Sequence, residues 1–444
     1  MKYQDYLDQI EHLTVEQIVE GISNSIITFD DLKKTGDFDN SKQKAVRTIL
    51  KEKENILYDK AKSLEELESY LILYPNGIYT NQIKEKIRII KEEEIKRIKE
   101  EKEKEKFLKE IKEDINEYVP DEIISKLSRE DLDRLCEEIG ISPSAVHNYS
   151  QPILKFNEIP RNISDVPNGY TDIFFWGIPS SGKTCALAAI FNTIKNKYTM
   201  EAPDSEKKFG VAYRDSLINI FQNEIGNLPG RTSPDRTQYM PFLLSKRGEK
   251  NNRKVSFFEL SGEVFWYFYE LANNSQILDE YKREMNEKTF DTLNLLLNSE
   301  NQKIHFFFID YNQETKHSTD NNGLTQSNYL ESAATYFRDQ NNIFKKKTDA
   351  VYVIITKSDA IKGENKIDIA NSFLKENFGS FMDVLKNHCH KNSVSFKVKL
   401  FSIGDVYFQR ICKINRSYSE EIINELITQV KPTKTSLIRK FFNS

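Results

Sequence analysis

Eight consecutive residues constrain this chain more than any others: Gly177-Ile178-Pro179-Ser180-Ser181-Gly182-Lys183-Thr184. The string reads G-x-x-x-x-G-K-T, follows the apolar run Asp172–Trp176 and leads into a helical run from Cys185 to Tyr198. A strand, a glycine-rich turn and a helix in that order commit the surrounding chain to strands and helices in alternation. Phosphate chemistry needs the same order. The glycines let backbone N–H groups close around phosphate oxygens, and the helix N-terminus adds favourable positive potential. Lys183 supplies a point charge to the β- and γ-phosphates, the Thr184 hydroxyl is a ligand for Mg²⁺, and Ser180, Ser181 and Cys185 complete the loop. Nucleoside triphosphate binding is the expectation.

Beyond residue 168 the chain alternates as that loop demands. Ile173–Trp176, Val255–Leu260, Ile304–Ile309, Ala350–Ile355 and Phe396–Phe401 read as buried strands separated by helical runs. The expected fold over 169–444 is therefore α/β, a mostly parallel sheet with helices on both faces. Residues 1–80 read instead as an all-α region, followed by a charged helical spacer at 81–118, a small helical segment at 119–150 and a Pro-punctuated linker at 151–168. In the spacer, Lys91 to Glu113 holds 18 charged residues in 23, nine of each sign. Opposite charges four apart support a solvated helix. Lys102 and Glu105 stand where a continuous coiled-coil seam would need apolar residues. Tyr70-Leu71-Ile72-Leu73-Tyr74-Pro75-Asn76-Gly77-Ile78-Tyr79 predicts a helical hairpin, and resembles one copy of a tetratricopeptide-like repeat.

The charge balance, 64 Lys+Arg against 68 Asp+Glu, provides no field for general nucleic-acid binding. No apolar run is long enough for a transmembrane helix. The N-terminus lacks the apolar core of a secretory signal. Four cysteines without CxxC spacing read as a reduced, cytoplasmic chain. His388-Cys389-His390 is no metal site, because adjacent residues on one element point apart.

Three further segments follow the loop in order. Phe257-Phe258-Glu259-Leu260-Ser261-Gly262-Glu263 ends a strand with an acid and, three residues on, a glycine. Val351–Ile355 runs into Thr356-Lys357-Ser358-Asp359, and Leu400-Phe401 into Ser402-Ile403-Gly404. Together with the loop, these resemble the motif series of the TRAFAC-class, Ras-like P-loop GTPases. Gly226-Asn227-Leu228-Pro229-Gly230-Arg231-Thr232 adds a likeness to the bacterial double-GTPase type.

The resemblance implies a Mg²⁺-dependent GTPase acting as a switch on GTP and GDP. Thr356, Lys357 and Asp359 would read guanine, with Ser402 and Ile403 beside the base. Gly262 would face the γ-phosphate, and Glu259 would hold Mg²⁺ through water in place of the family's Asp. Thr232 or Thr237 would be the switch threonine, with Arg231 or Arg236 supplying charge to the transition state. Glu263 stands where many members keep a glutamine that orients water, which implies slow or partner-stimulated hydrolysis. Independently of the family, a carboxylate such as Asp359 only accepts hydrogen bonds, and guanine presents two adjacent donors.

Two other readings stay open. An ATPase would use Asp310, at the end of the apolar run Ile304–Ile309, as its Walker B acid. A non-hydrolysing, nucleotide-gated scaffold would explain Glu259 and Glu263. A protein partner is expected at the helical N-terminal region or at the aromatic run Phe265-Trp266-Tyr267-Phe268-Tyr269, unless that run is a helix buried under an inserted layer at 276–298. Oligomerisation is also open.

Overall fold

The computed structural model describes residues 1–156, 159–202, 209–230, 237–249, 251–340 and 347–433. The chain divides into two compact units, Met1–Glu110 and Ile111–Ser444.

The first unit is built from helices. Thr14 caps Val15–Ser23 in a reciprocal capping box with Gln17, as its spacing predicts. Asn40–Lys60 and Leu64–Leu73 precede the long helix Thr80–Glu113. That helix ends at Glu113 rather than Tyr118, because the chain turns at 114–118 before a new helix starts on Pro120. At 1.5 Å per residue it is about 51 Å long.

The hairpin between the last two of these helices is organised by one buried acid. Glu54 Oε1 accepts from the Tyr70 hydroxyl at 2.5 Å and from the Ile78 backbone N–H at 2.6 Å. The space a Cβ would take at Gly77 is filled by that carboxylate, at 2.3 Å, and by the Tyr70 hydroxyl, at 2.8 Å. Tyr58 stacks on Tyr79 with ring centroids 4.1 Å apart, closing the turn. The Tyr-x-x-x-Tyr-Pro-x-Gly-x-Tyr spacing is thus the geometry of one acid-capped turn.

Among the described residues of the second unit, ten strands form two sheets. The strands are β1 Thr171–Trp176, β2 Tyr198–Glu201, β3 Ile225–Asn227, β4 Gln238–Lys246, β5 Arg253–Glu259, β6 Gln302–Asp310, β7 Thr348–Thr356, β8 Ser395–Leu400, β9 Gly404–Tyr407 and β10 Ile411–Ile414. The main sheet runs β2-β4-β5-β1-β6-β7-β8, and the smaller one β3-β10-β9. From β5 to β8 every pair is parallel; β4 and β2 are antiparallel. The five apolar runs expected as strands are the five parallel ones; β1, β5, β6 and β7 are buried on both faces and read as near-continuous apolar sequence, whereas the edge strand β8 is only partly buried and carries Lys397 and Lys399.

Strand β4 escapes sequence reading because it contains Pro241, which cannot donate to a ladder. Pro241 lies opposite Ser256 of β5 but beyond the residues that pair with β2, so its missing N–H leaves no bond unmade there.

Side chains alternate across the sheet. Phe175, Phe257 and Phe306 pack under the helices Lys183–Lys197, Val211–Ile220 and Ser417–Gln429. Phe174, Phe258 and Phe307 pack on the other face with Val264–Asn273, Glu280–Leu297, Gln326–Gln340 and Gly379–Lys391. The aromatic run belongs to this second face. Phe265, Trp266 and Phe268 are buried, and Phe268 stacks on Tyr336. Only Tyr267 and Tyr269 are partly exposed, so the run is chiefly a core helix beneath the layer Glu280–Leu297.

Removing the acid that organises the first unit should expose its role. We expect Glu54→Ala to destabilise the hairpin by about 1–3 kcal/mol, the cost of stranding the Tyr70 hydroxyl and the Ile78 N–H. Faster amide exchange across Leu64–Leu73 would report it; unchanged protection would remove Glu54 from this role.

Candidate functional site

The loops that leave β1, β5, β7 and β8 converge at the carboxyl edge of the parallel strands, where open α/β sheets bind ligands. They enclose a cavity of about 640 Å³ lined by Pro179 through Cys185, Glu259, Gly262, Thr356, Lys357, Asp359 and Ile403. A wider groove of about 930 Å³, between residues 142–155 and Val211–Ile220, is lined by Gly226 and Asn227 but by no residue of the phosphate loop and by none of Glu259, Gly262, Thr356, Lys357, Asp359 or Ile403.

The loop after β1 is shaped by its backbone. Gly177 has φ +150°, and a Cβ there would lie 2.8 Å from the Phe308 carbonyl oxygen. Ser180 and Gly182 are left-handed, at φ +65° and +87°. Successive turns of this kind gather backbone N–H groups into an anion-binding concavity at the start of Lys183–Lys197. Lys183 Nζ donates to the carbonyls of Gly177 at 2.6 Å and Ile178 at 2.9 Å. Burial lowers the Lys183 ammonium pKa to about 8, although the nearby Glu259 carboxylate opposes the shift. Burial likewise pushes the Cys185 thiol up to about 11.

Thr184 Oγ1 donates to Glu259 Oε1 at 2.5 Å, and the Tyr213 hydroxyl donates to Glu259 Oε2, also at 2.5 Å. Burial raises the Glu259 pKa; the Thr184 and Tyr213 donors and the Lys183 charge pull it back. A hydroxyl and a carboxylate this close at a helix N-terminus make a hard-oxygen donor pair suited to Mg²⁺. Among the described residues no group of three or more His, Cys, Asp or Glu could hold a metal.

Asp310 lies elsewhere. It is opposite Thr356 in the β6–β7 register. Its Oδ2 pairs with Lys357 Nζ at 2.6 Å, and its Oδ1 accepts from the Gln313 N–H to cap the helix Tyr311–Thr315. Its carboxylate does not line the cavity. The acid that meets Thr184 is Glu259, whose strand neighbour is Phe175, one residue from the end of β1.

Thr356 has a role its spacing does not disclose: Oγ1 donates to the Ser181 carbonyl at 2.9 Å and the Ile309 carbonyl at 3.2 Å, bracing the loop. Lys357 is left-handed at φ +54°, which turns the chain so that Asp359 borders the cavity. The Ser358 N–H donates to the Phe401 carbonyl, bringing Ile403 to the same wall. Ser402 is buried and accepts from the Gly404 N–H.

Glu263 is buried at the start of Val264–Asn273 and does not line the cavity. Thr237 is buried at the start of β4, where its Oγ1 accepts from the Ser261 N–H at 3.4 Å. Arg231, Thr232 and Arg236 lie outside the described residues. Leu228, Pro229 and Gly230, which precede them, do line the cavity.

Sequence reasoning missed Tyr213, Asn116 and Arg410. Tyr213 carries no motif. Asn116 and Arg410 also line the cavity, yet fall outside the motif series.

At Gly262 a Cβ would stand 2.3 Å from the Pro179 nitrogen, a backbone atom. Gly262→Ala should therefore displace the phosphate loop and destabilise the second unit by about 1–3 kcal/mol. Thermal unfolding would measure this, and a variant as stable as the wild type would contradict so close an approach.

No family model matches the chain, and no curated protein matches it in sequence. Among solved structures it is similar to a nucleolar GTP-binding protein 1 of Plasmodium falciparum, at 13% identity and TM-score 0.27, over 60% of this chain and 88% of that one. It is also similar to the GTPase-like domain of Ski7 from S. cerevisiae, bound to GTP, at 14% identity and TM-score 0.29. That match covers 52% of this chain and only 43% of the Ski7 chain. Both scores are too low to carry an assignment, which rests on the geometry of the chain itself.

Proposed function

We propose that this chain binds GTP with Mg²⁺ and hydrolyses it slowly, as a nucleotide-dependent switch. The observation that carries this reading is the contact between Thr184, next to Lys183 at the helix start, and Glu259, at the end of the neighbouring strand. Asp359 lines the same cavity. In this reading the loop amides and the Lys183 ammonium hold the β- and γ-phosphates. Thr184 directly, and Glu259 through a water, hold Mg²⁺, which when bound neutralises charge developing on the phosphates. Asp359 accepts from guanine N1–H and the N2 amine, Lys357 and Ile403 flank the base, and Thr356 keeps the loop rigid.

Glu263 is set back from the cavity, so meeting an attacking water requires movement of Leu260–Gly262. Hydrolysis is therefore slow until a partner or the segment containing Arg231 and Thr232 completes the site. The engagement of Asp310 with Lys357 and a helix cap disfavours the ATPase reading. The helical unit 1–110 is the proposed partner-binding part, on the strength of exposed Ile72, Leu73 and Ile78 around its hairpin.

Calorimetry with GTP and ATP tests the base reading. GTP should bind and ATP should bind at least tenfold more weakly, since two hydrogen bonds to a charged carboxylate are at stake. Asp359→Asn should shift preference from guanosine to xanthosine triphosphate. Tight ATP binding without GTP binding would defeat the proposal.

The Lys183 shift predicts a pH dependence. Below about pH 8 the side chain is an ammonium and phosphate affinity is at its full value. As pH rises through about 8 the free protein loses that proton and binding must restore it. GTP affinity should thus fall about tenfold between pH 7 and pH 9, with proton uptake measurable by calorimetry in buffers of different ionisation enthalpy. An affinity flat across this range would show that Lys183 stays an ammonium throughout and that its burial does not lower its pKa to about 8.

A further inference from the structure

Part of the cavity wall comes from a hairpin outside the motif series. Strands β9 and β10 follow Ile403 directly and pair antiparallel, and Val406, Gln409 and Arg410 line the cavity. At Gly404, φ is +126° and a Cβ would lie 2.0 Å from the Lys413 carbonyl oxygen, so only glycine lets the strands approach there. The turn is closed by the Arg410 N–H donating to the Tyr407 carbonyl at 3.2 Å. Its two central residues, Phe408 at φ +50° and Gln409 at φ +56°, are both left-handed.

A tight hairpin turn of this kind normally uses Asn or Gly. Two larger residues in that conformation persist only where the surroundings over-determine them, a circumstance concentrated at ligand clamps and switch regions. Here the surroundings are visible. Phe408 is fully buried, and Gln409 Nε2 donates to the Glu117 carbonyl at 3.2 Å. The Arg410 carbonyl accepts from the Leu228 N–H at 2.6 Å, which ties the hairpin to the strand leading into Pro229-Gly230. The strained turn thus holds Arg410 at the cavity wall, beside Leu228.

Among the described residues three cations line the cavity, and two of them are held by oxygen acceptors. Lys183 donates to loop carbonyls, and Lys357 pairs with Asp310. Arg410 is half-buried with the Tyr149 side chain as an electrostatic neighbour, and among the described residues it has no carboxylate at ion-pair distance. A guanidinium stays charged at any working pH, and leaving it partly desolvated without a counter-charge is unfavourable. A phosphate, which its fork matches in a bidentate way, removes that penalty. We infer that Arg410 is a second phosphate-binding residue of this cavity, contacting the phosphate chain of the bound nucleotide alongside Lys183. The inference rests on the nucleotide reading of the cavity.

The test is affinity of the full chain for GTP, GDP and guanosine, the last by competition, in wild type, Arg410→Ala and Arg410→Lys. Arg410→Ala should bind GTP and GDP about tenfold or more weakly, as expected for a lost charge-assisted bond, while guanosine affinity and unfolding temperature stay unchanged. Arg410→Lys should recover part of the loss, because it keeps the charge without the fork. Wild-type binding of GTP with an undiminished Arg410→Ala would overturn the inference alone. An equal loss for guanosine would also overturn it, by moving the contact to the nucleoside or to the fold. A wild type that binds none of the three would overturn the nucleotide reading, and this inference with it.

Discussion

The hydrogen bonds that converge on Glu259 tie together the parts on which the site depends. Its two oxygens accept from Thr184, at the start of one helix, and from Tyr213, on another. Its own backbone pairs with β1 on one side and β4 on the other. A buried carboxylate is costly unless its lone pairs are satisfied, and here a hydroxyl donor reaches each oxygen. One acid therefore locks β5 and two helices into one arrangement and orients the Thr184 hydroxyl. A change at Glu259 would act on stability and on the site together.

A second brace acts from the other flank of β1. Thr356 reaches across β6 to the carbonyls of Ser181 and Ile309, so the phosphate loop is gripped from the β7 side as Glu259 grips the helix start from the β5 side. The close approach of Gly262 to Pro179 adds a third constraint. A loop held on several sides keeps its left-handed residues in place, and the N–H groups they expose are organised before any anion arrives.

Much of this was legible beforehand. The central parallel strands were visible because burial on both faces produces continuous apolar runs, the edge strand β8 because Phe396, Val398 and Leu400 alternate with lysines, and the phosphate loop because its glycines answer to a backbone requirement. Strand β4 was hidden by Pro241, and β3, β9 and β10 are too short and mixed to show a period. The aromatic run was ambiguous for another reason. Five successive aromatics cannot share one helical face, and only the packing of Glu280–Leu297 and Gln326–Gln340 around them explains how most are buried. Tyr213, Asn116 and Arg410 carry no local signal, since each reaches the site through contacts distant in the chain.

By itself, the sequence determined the order of strand, loop and helix and the residue types at the loop, because these follow from local backbone geometry and charge. The tertiary structure decided which acid serves that loop. Glu259 and Asp310 both end apolar strands beside β1. The register sets Glu259 level with Phe175, within reach of Thr184, and carries Asp310 beyond the end of β1 to lie opposite Thr356, where Lys357 engages it. The tertiary structure also brought Arg410 to the cavity, by pairing β10 with β3. Residues this far apart meet only through strand register, which is a property of long-range pairing and not of any local run.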